Sequence, residues 1–315
     1  MTDTERVAII GAGHVGATAA YALMLRALFR DIVLIDSNPE LAAAEAADIA
    51  DANALARPAR IRAGDYADTA GAAIAVITAG GVTHGTQTRL SVAAESVLIV
   101  SDCVRKLMAA GFKGVLVISA NPVDLMTHVA AHWSGLPPTQ VIGTGTLLDT
   151  SRLKQTLSQV LKVAPGSIEG LVLGEHGDSE VACFSTVRIG GMALDQFCAN
   201  REGLGRTSIA HQVRDAGYDI VNGKGYTSWG VATAIVRICE AIVRDERAIL
   251  PVSTLLSGQY GLSGLCLSLP CVLGAGGVRR ILTPELAPDE AAGLAASANV
   301  LRTAFAALST TAETT

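Results

Sequence analysis

Residues 11–16, Gly-Ala-Gly-His-Val-Gly, constrain the fold of this chain more than any other feature. They follow the apolar run Val7–Ile10, which is typical of a buried parallel strand. An Ala- and Leu-rich stretch from about Val15 to Leu28 predicts a helix, and the apolar run Asp31–Asp36 predicts a second strand that ends in an acid. A strand, a glycine turn, a helix and a second strand form one βαβ unit, whose crossover is right-handed.

Each glycine of this turn has a mechanical role. Gly11 allows the tight turn, Gly13 lets the backbone approach a pyrophosphate, and Gly16 lets helix and strand pack closely. The helix N-terminus adds N–H groups and a partial positive charge. Asp36, twenty residues after Gly16, is placed to accept hydrogen bonds from ribose hydroxyls and to repel a 2′-phosphate. No Lys or Arg lies between residues 37 and 56, so we expect NAD as the cofactor and not NADP.

The strand pattern recurs along the first half of the chain. Apolar runs at 73–77 and 115–118 predict further parallel strands, and therefore an α/β fold with a doubly wound sheet of the Rossmann type. The pattern becomes less regular after a polar, Pro-containing stretch near residue 137, and a helix is expected near Thr150. We predict two domains: 1–143, which binds NAD, and 144–315, a mixed α+β catalytic and substrate domain.

Composition narrows the partners. The net charge of −5 disfavours nucleic acid as the main partner. The N-terminus lacks the apolar core of a signal peptide, and no apolar run reaches the ~18 residues of a membrane span, so no membrane partner is expected. Six cysteines contain no C-x-x-C pair and no metal-ligand spacing. They predict reduced thiols, a cytoplasmic protein and no bound metal.

Two segments of the second half carry candidate chemistry. Residues 174–179, Gly-Glu-His-Gly-Asp-Ser, place His176 between two glycines after an apolar run. A histidine of unperturbed pKa ~6.5 exchanges protons near neutrality, and flanking glycines let the backbone bend so that the ring faces a ligand. Asp149 and Arg152, three residues apart, would share one helical face. From the residues alone, each of the three has a second interpretation. His176 is then a solvated histidine of a turn, Asp149 a helix N-cap and Arg152 a cation on the surface.

Several motifs, in order and at matching spacing over residues 7–308, resemble the lactate/malate dehydrogenase family. Residues 224–229, Lys-Gly-Tyr-Thr-Ser-Trp, are similar to its lactate-specific members. The other motifs are 11–18 (Gly-Ala-Gly-His-Val-Gly-Ala-Thr), 64–66 (Gly-Asp-Tyr), 77–80 (Ile-Thr-Ala-Gly), 88–90 (Thr-Arg-Leu), 121–124 (Asn-Pro-Val-Asp), 148–152 (Leu-Asp-Thr-Ser-Arg) and 174–179.

The resemblance implies an NAD-dependent dehydrogenase of L-2-hydroxy acids and assigns a role to each catalytic residue. His176 is the general base of oxidation and the general acid of reduction, and Asp149 is the carboxylate that orients it. Arg152 clamps the substrate carboxylate with its two-pronged guanidinium. Arg89 polarises the reacting carbonyl from a loop, residues 80–88, that closes as a lid. Asn121, expected to precede a cis proline, bonds the substrate oxygen and the nicotinamide region.

The resemblance also implies that five residues line the cofactor in addition to Gly11, Gly13, Gly16 and Asp36. For each of the five, ordinary packing is an equally good interpretation. They are Val15, Tyr66, Gly80, Gly81 and Thr144.

Substrate choice is where this chain departs from the family. Thr83, six residues before Arg89, occupies a position that is Gln in lactate-specific members and Arg in malate-specific ones. No Lys or Arg lies between residues 63 and 88, which disfavours a substrate with a second carboxylate. Thr227 matches the threonine that faces the substrate side chain. Pyruvate-sized substrates are expected first; a bulkier 2-oxo acid, a malate-type substrate and a silent NAD-binding sensor remain as alternatives.

The resemblance extends to assembly and regulation. It implies a homo-oligomer, specifically a tetramer. Family members activated by fructose 1,6-bisphosphate place Arg two residues after the clamping arginine and His seven before the catalytic histidine. Here these positions hold Lys154 and Glu169, and the glutamate would repel a phosphate group.

Overall fold

The computed structural model describes residues 6–56, 58–81, 89–198 and 204–312, with backbone alone for 89–91 and 308–312. Its strands are β1 (Arg6–Ile10), β2 (Asp31–Ile35), β3 (Arg60–Ala63), β4 (Ile74–Ile77), β5 (Val115–Ile118), β6 (Val141–Gly143), β7 (Ile168–Leu173), β8 (Val181–Ile189), β9 (Met192–Ala193), β10 (Ala248–Ser257), β11 (Ser263–Gly274) and β12 (Gly277–Ile281). Its helices are α1 (His14–Arg26), α2 (Pro39–Ala54), α3 (Arg89–Ala109), α4 (Val123–Ser134), α5 (Leu147–Leu161), α6 (Leu194–Phe197), α7 (Arg206–Lys224), α8 (Trp229–Val243) and α9 (Pro288–Ala312).

The first six strands form a parallel sheet in the order β3-β2-β1-β4-β5-β6. The alternation of side chains in β1 shows how both faces are buried. Val7 and Ile9 face a core that includes α1 and α8, whereas Ala8 and Ile10 face a core that includes α3 and α4. The strand order reverses direction between β1 and β4, and ligands of such sheets bind at that switch point. The predicted doubly wound Rossmann-type sheet is confirmed.

The second half of the chain continues this sheet, which the sequence did not predict. Strand β10 pairs antiparallel with β6, and β11 and β12 follow, so that the sheet has nine strands within the described part of the chain. Long apolar runs in β10 and β11 are buried on both sides, so they cover the edge that β6 would otherwise expose. A separate antiparallel sheet, β7-β8-β9, packs against α5 and α7.

Across the described ranges, none of the helices combines the length and apolar character that a bilayer crossing requires.

Candidate active site

The glycine turn between β1 and α1 is built so that two of its glycines are obligatory. Gly11 has φ +104°, a backbone conformation that L side chains rarely adopt. A Cβ on Gly16 would lie 1.8 Å from the carbonyl oxygen of Gly11, so only glycine permits this close packing. A Cβ on Gly13 would meet nothing within 4 Å, which leaves open space beside the N-terminus of α1. The cradle therefore fits a pyrophosphate approaching the helix N-terminus.

Asp36 follows β2 and is tied to this turn. Its Oδ2 accepts a hydrogen bond from the backbone N–H of Ala12 at 2.7 Å, and its Oδ1 accepts one from the N–H of Asn38 at 2.9 Å. The carboxylate is thus fixed at the carboxyl end of β2, next to the glycine turn. This location is compatible with the ribose-binding role, which remains a prediction.

The other predicted cofactor residues all follow carboxyl ends of parallel strands. Val15 lies in the first turn of α1 after β1, Tyr66 follows β3, Gly80 and Gly81 follow β4, and Thr144 follows β6. Gly81 donates its N–H to Ser96 Oγ at 3.0 Å, and Thr144 donates to the carbonyl of Ile118 at 2.9 Å. Burial raises the pKa of Tyr66, whose hydroxyl pairs with the thiol of Cys103. The fold therefore places all five residues at the carboxyl ends of the parallel strands.

Asp149 is the centre of the candidate catalytic group. It shares a face of α5 with Leu153, Leu157 and Leu161, at successive spacings of four, and this apolar face buries it to 1 % exposure. Its Oδ2 contacts His176 Nδ1 at 2.6 Å, and its Oδ1 accepts a hydrogen bond from Arg152 Nη1 at 2.8 Å. One buried carboxylate therefore bridges the histidine and the arginine. It is not the helix N-cap, a position that Thr146 occupies.

These contacts shift the pKa of both Asp149 and His176. Burial opposes ionisation of Asp149, but His176 and Arg152 outweigh it and hold the pKa of Asp149 below its usual value. Burial alone would lower the pKa of His176, but the Asp149 carboxylate outweighs that effect and raises it to about 9. A histidine with this pKa is protonated at neutral pH and can act as an acid.

The loop that carries His176 is held from three sides. The N–H of His176 donates to Asp124 Oδ2 at 2.7 Å. Gly174 exchanges two backbone hydrogen bonds with Ser268 of β11, and the N–H of Glu175 donates to Ser297 Oγ of α9 at 2.8 Å. The hydroxyl of Ser268 donates to Asp124 Oδ1 at 3.3 Å. The loop is therefore fixed by elements that lie far apart in the sequence.

Three of these supporting residues were missed by sequence reasoning. Asp124 belongs to the quoted motif 121–124, which could have drawn attention to it, but Ser268 and Ser297 carry no local signal. Burial raises the pKa of Asp124 to about 6. Its hydrogen bonds to His176 and Ser268 show that this acid shapes the loop.

The remaining predicted site residues are located as follows. Asn121 is exposed at the carboxyl side of β5, and its peptide bond to Pro122 is cis, as expected. Thr227 lies in the loop between α7 and α8, not in a helix. Its neighbour Tyr226 stacks on His14 of the glycine turn, with 3.9 Å between the ring centroids. The loop that holds Thr227 therefore lies next to the predicted cofactor cradle. Arg89 begins α3, where the backbone alone is described, and Thr83 lies outside the described residues.

The described residues also contain one group with the donor types of a cation site. Donor atoms of Asp149, His176 and Glu180 lie within 4.8 Å of one another. The guanidinium of Arg152 is already bound to Asp149, and this positive charge opposes a second cation. The expectation of a metal-free site remains a prediction.

A dinucleotide cradle, a paired histidine and aspartate, and an arginine on the same aspartate are together the features of a nicotinamide-dependent dehydrogenase. Residues 5–143 match the family described as lactate/malate dehydrogenase, NAD binding domain. Residues 146–310 match lactate/malate dehydrogenase, alpha/beta C-terminal domain. The chain belongs to the lactate/malate dehydrogenase family, and its predicted NAD dependence is confirmed.

Two L-lactate dehydrogenases are similar in sequence to nearly the whole of this chain. The L-lactate dehydrogenase of Nitratidesulfovibrio vulgaris strain Hildenborough is 41% identical over 308 residues, covering 96% of this chain and 100% of the relative. That of Clostridium perfringens strain 13 is 40% identical over 303 residues, covering 95% and 96%.

Solved structures agree as well. The minor L-lactate dehydrogenase of Enterococcus mundtii in its ligands-bound form has a TM-score of 0.94 at 35% identity, covering 97% of this chain and 98% of that one. Its ligands-unbound form has a TM-score of 0.89 at 34% identity, covering 97% of each chain.

Proposed function

We propose that this protein interconverts L-lactate and pyruvate with NAD. The observation that carries the proposal is the double contact of Asp149, with His176 on one oxygen and Arg152 on the other. This arrangement sets a proton donor next to a carboxylate-binding cation, which is what a 2-oxo acid requires. A silent NAD-binding sensor needs neither group. The relatives named above are lactate dehydrogenases, which supports the proposal.

The two halves divide the work in this proposal. Residues 1–143 supply most of the groups that hold NAD, among them the glycine turn and Asp36, and residues 144–315 supply His176, Asp149 and Arg152. NAD supplies the hydride acceptor in oxidation, and NADH supplies the donor in reduction. Arg152 binds the substrate carboxylate, and Asn121 and Arg89 bond its reacting oxygen. Thr227 and Thr83 select the substrate by its side chain in this proposal.

Proton transfer is the task of His176. In pyruvate reduction the imidazolium gives its proton to the carbonyl oxygen as the alcohol forms, and in oxidation the neutral imidazole takes that proton back. Asp149 orients the ring through Nδ1, which leaves Nε2 for the substrate, and its charge stabilises the imidazolium. Arg89 opposes the negative charge that develops on the carbonyl oxygen.

We expect a neutral 2-oxo acid to be preferred over oxaloacetate, because no Lys or Arg lies between residues 63 and 88 to pair a second carboxylate. Thr83→Arg should move the preference toward oxaloacetate by supplying that partner. The measurement is kcat/KM for pyruvate, 2-oxobutyrate, 2-oxoisocaproate, phenylpyruvate and oxaloacetate with NADH. Thr83→Gln, which restores the side chain of lactate-specific members, serves as the matched control.

The same kcat/KM measurements also show whether the enzyme prefers a small or a bulky 2-oxo acid. Thr is shorter than Gln, which favours a bulkier 2-oxo acid as the second candidate, and a maximum at 2-oxoisocaproate or phenylpyruvate would establish it. A wild-type kcat/KM higher for oxaloacetate than for pyruvate would refute the preference for neutral substrates.

We further propose a cytoplasmic homotetramer serving fermentation of glycolytic pyruvate. The six cysteines are all unpaired, which supports a reducing compartment. Assembly as a tetramer rests on the family resemblance, and light scattering of the purified protein tests it.

Fructose 1,6-bisphosphate should have little or no effect on this enzyme. Glu169 is exposed on β7, and across a symmetric interface its repulsion of a phosphate would act twice. Lys154 offers only a point charge to an anion. Pyruvate saturation curves with and without millimolar effector should superimpose. A several-fold fall in KM on adding it would contradict this prediction.

A further inference from the structure

Glu180 is a second carboxylate beside the His176–Asp149 pair. It lies directly before β8, and one of its oxygens is within 4.8 Å of a donor atom from each member of the pair. Its Oε1 is buried and lacks a hydrogen-bond partner in the described part of the structure. Burying a carboxylate without partners is costly, so a group of this kind needs an explanation beyond packing.

The charges around Glu180 come from several elements. Helix α5 contributes Asp149 and Arg152, α7 contributes Arg214, and the catalytic loop contributes His176 itself. Asp124 of α4 also acts on His176, and Glu175 of the loop acts on Asp124. Asp178 and Asp215 act on Arg214, and Asp215 forms an ion pair with it at 3.0 Å.

The charges of Asp149, Arg152, His176 and Glu180 together explain what the second carboxylate, Glu180, does. With Asp149 and Glu180 ionised and Arg152 charged, the cluster is neutral only while His176 carries its proton. Loss of that proton leaves one excess negative charge among buried and partly buried groups, which is unfavourable. Glu180 thereby favours the imidazolium, as Asp149 does, although the described structure shows no hydrogen bond between Glu180 and the ring.

We propose that Glu180 is a positioning residue for proton transfer, whose negative charge keeps His176 protonated and so sets the upper pH limit of pyruvate reduction. The proposal rests on the proposed function, because the limit is observed only if His176 is the acid of that reaction.

The ionisation of the group agrees with this role. Burial raises the pKa of Glu180 to about 8, and the charge of Asp149 adds to the effect, while His176, Arg152 and Arg214 oppose it. The pKa of His176 is about 9. The positive charges of His176, Arg152 and Arg214 favour the ionised form of Glu180, which is the form whose charge acts on the histidine.

The test compares pH profiles of kcat/KM for pyruvate. The wild-type value should fall as the pH rises through about 9. Glu180→Gln removes the charge, lowers the pKa of His176, and should move this fall to lower pH by roughly one unit, as an opposite charge at 4–6 Å typically does. Glu180→Asp keeps a carboxylate and should restore part of the shift. Glu169→Gln, the same substitution at an exposed site, should leave the profile unchanged.

Two results would overturn the proposal. One is a Glu180→Gln profile that superimposes on the wild type. The other is an equal loss at every pH that Glu180→Asp does not restore, which indicates a purely structural role.

A second readout does not depend on turnover. In histidine-labelled protein, the NMR signal of His176, assigned with His176→Ala, should titrate at a lower pH in Glu180→Gln than in the wild type, with Glu180→Asp between them. An unchanged midpoint in both variants overturns the proposal, and Glu180→Asp alone decides if Glu180→Gln fails to fold. If the midpoint moves but the wild-type protein does not reduce pyruvate, the proposed function fails and the role of Glu180 is separated from it.

Discussion

Replacing His176 by Ala is expected to lower kcat for pyruvate reduction by about 10²- to 10⁴-fold, the usual contribution of a general acid. The variant lacks the imidazolium that protonates the carbonyl oxygen. NADH binding should be retained, because the residues that form the cofactor cradle belong to β1, α1 and the turn between them, whereas His176 belongs to the loop between β7 and β8. Steady-state kinetics and NADH fluorescence titration measure the two quantities. His211→Ala, an exposed histidine of α7, is the matched control.

Asp149→Asn should give a loss of similar size by a different route. The amide keeps the shape of the side chain but lacks the charge that raises the pKa of His176. The loss should therefore increase with pH, as less of the histidine remains protonated. Near-wild-type turnover in either variant would refute the assigned proton relay.

Arg152→Lys has the second large expected effect, and it should act chiefly on KM. An ammonium cannot form the two parallel hydrogen bonds that a guanidinium makes with a carboxylate. Loss of one charged hydrogen bond, about 1.5–3 kcal/mol, corresponds to a rise in KM for pyruvate of roughly 10- to 150-fold. Lysine still carries a charge toward Asp149, so kcat should change less.

The control for this variant is Arg26→Lys, at the exposed end of α1. If Arg152→Lys lowered kcat with KM unchanged, Arg152 would act on the histidine through Asp149 and not on the substrate carboxylate. NADH affinity should be the same in both variants and in the wild type.

The sequence predicted the parts of the fold that depend on local pattern. Short apolar strands, the glycine turn and the acid at residue 36 are readable because their spacing follows from strand and turn geometry. The spacing of Asp149 and Arg152 also predicts their proximity, and the structure shows their ion pair at 2.8 Å. The motif around His176 carries the family resemblance.

The remainder depends on contacts between distant segments. Nothing near residue 250 indicates that β10 joins the edge of β6, because strand pairing is chosen by tertiary packing. The support of the catalytic loop by Ser268 and Ser297 involves separations of more than ninety residues, and single serines have no distinctive pattern. The proximity of Glu180 to Asp149 and Arg152 of α5 and to Arg214 of α7 likewise depends on tertiary packing.

Incubating the purified wild-type protein with NADH and pyruvate tests the proposed lactate dehydrogenase activity. We expect NADH oxidation that depends on pyruvate, with L-lactate formed in equal amount, and loss of both signals in His176→Ala. NADH binding by the wild type and by His176→Ala, with no lactate formed by either, would refute the proposed activity and favour an NAD-binding sensor on the same fold.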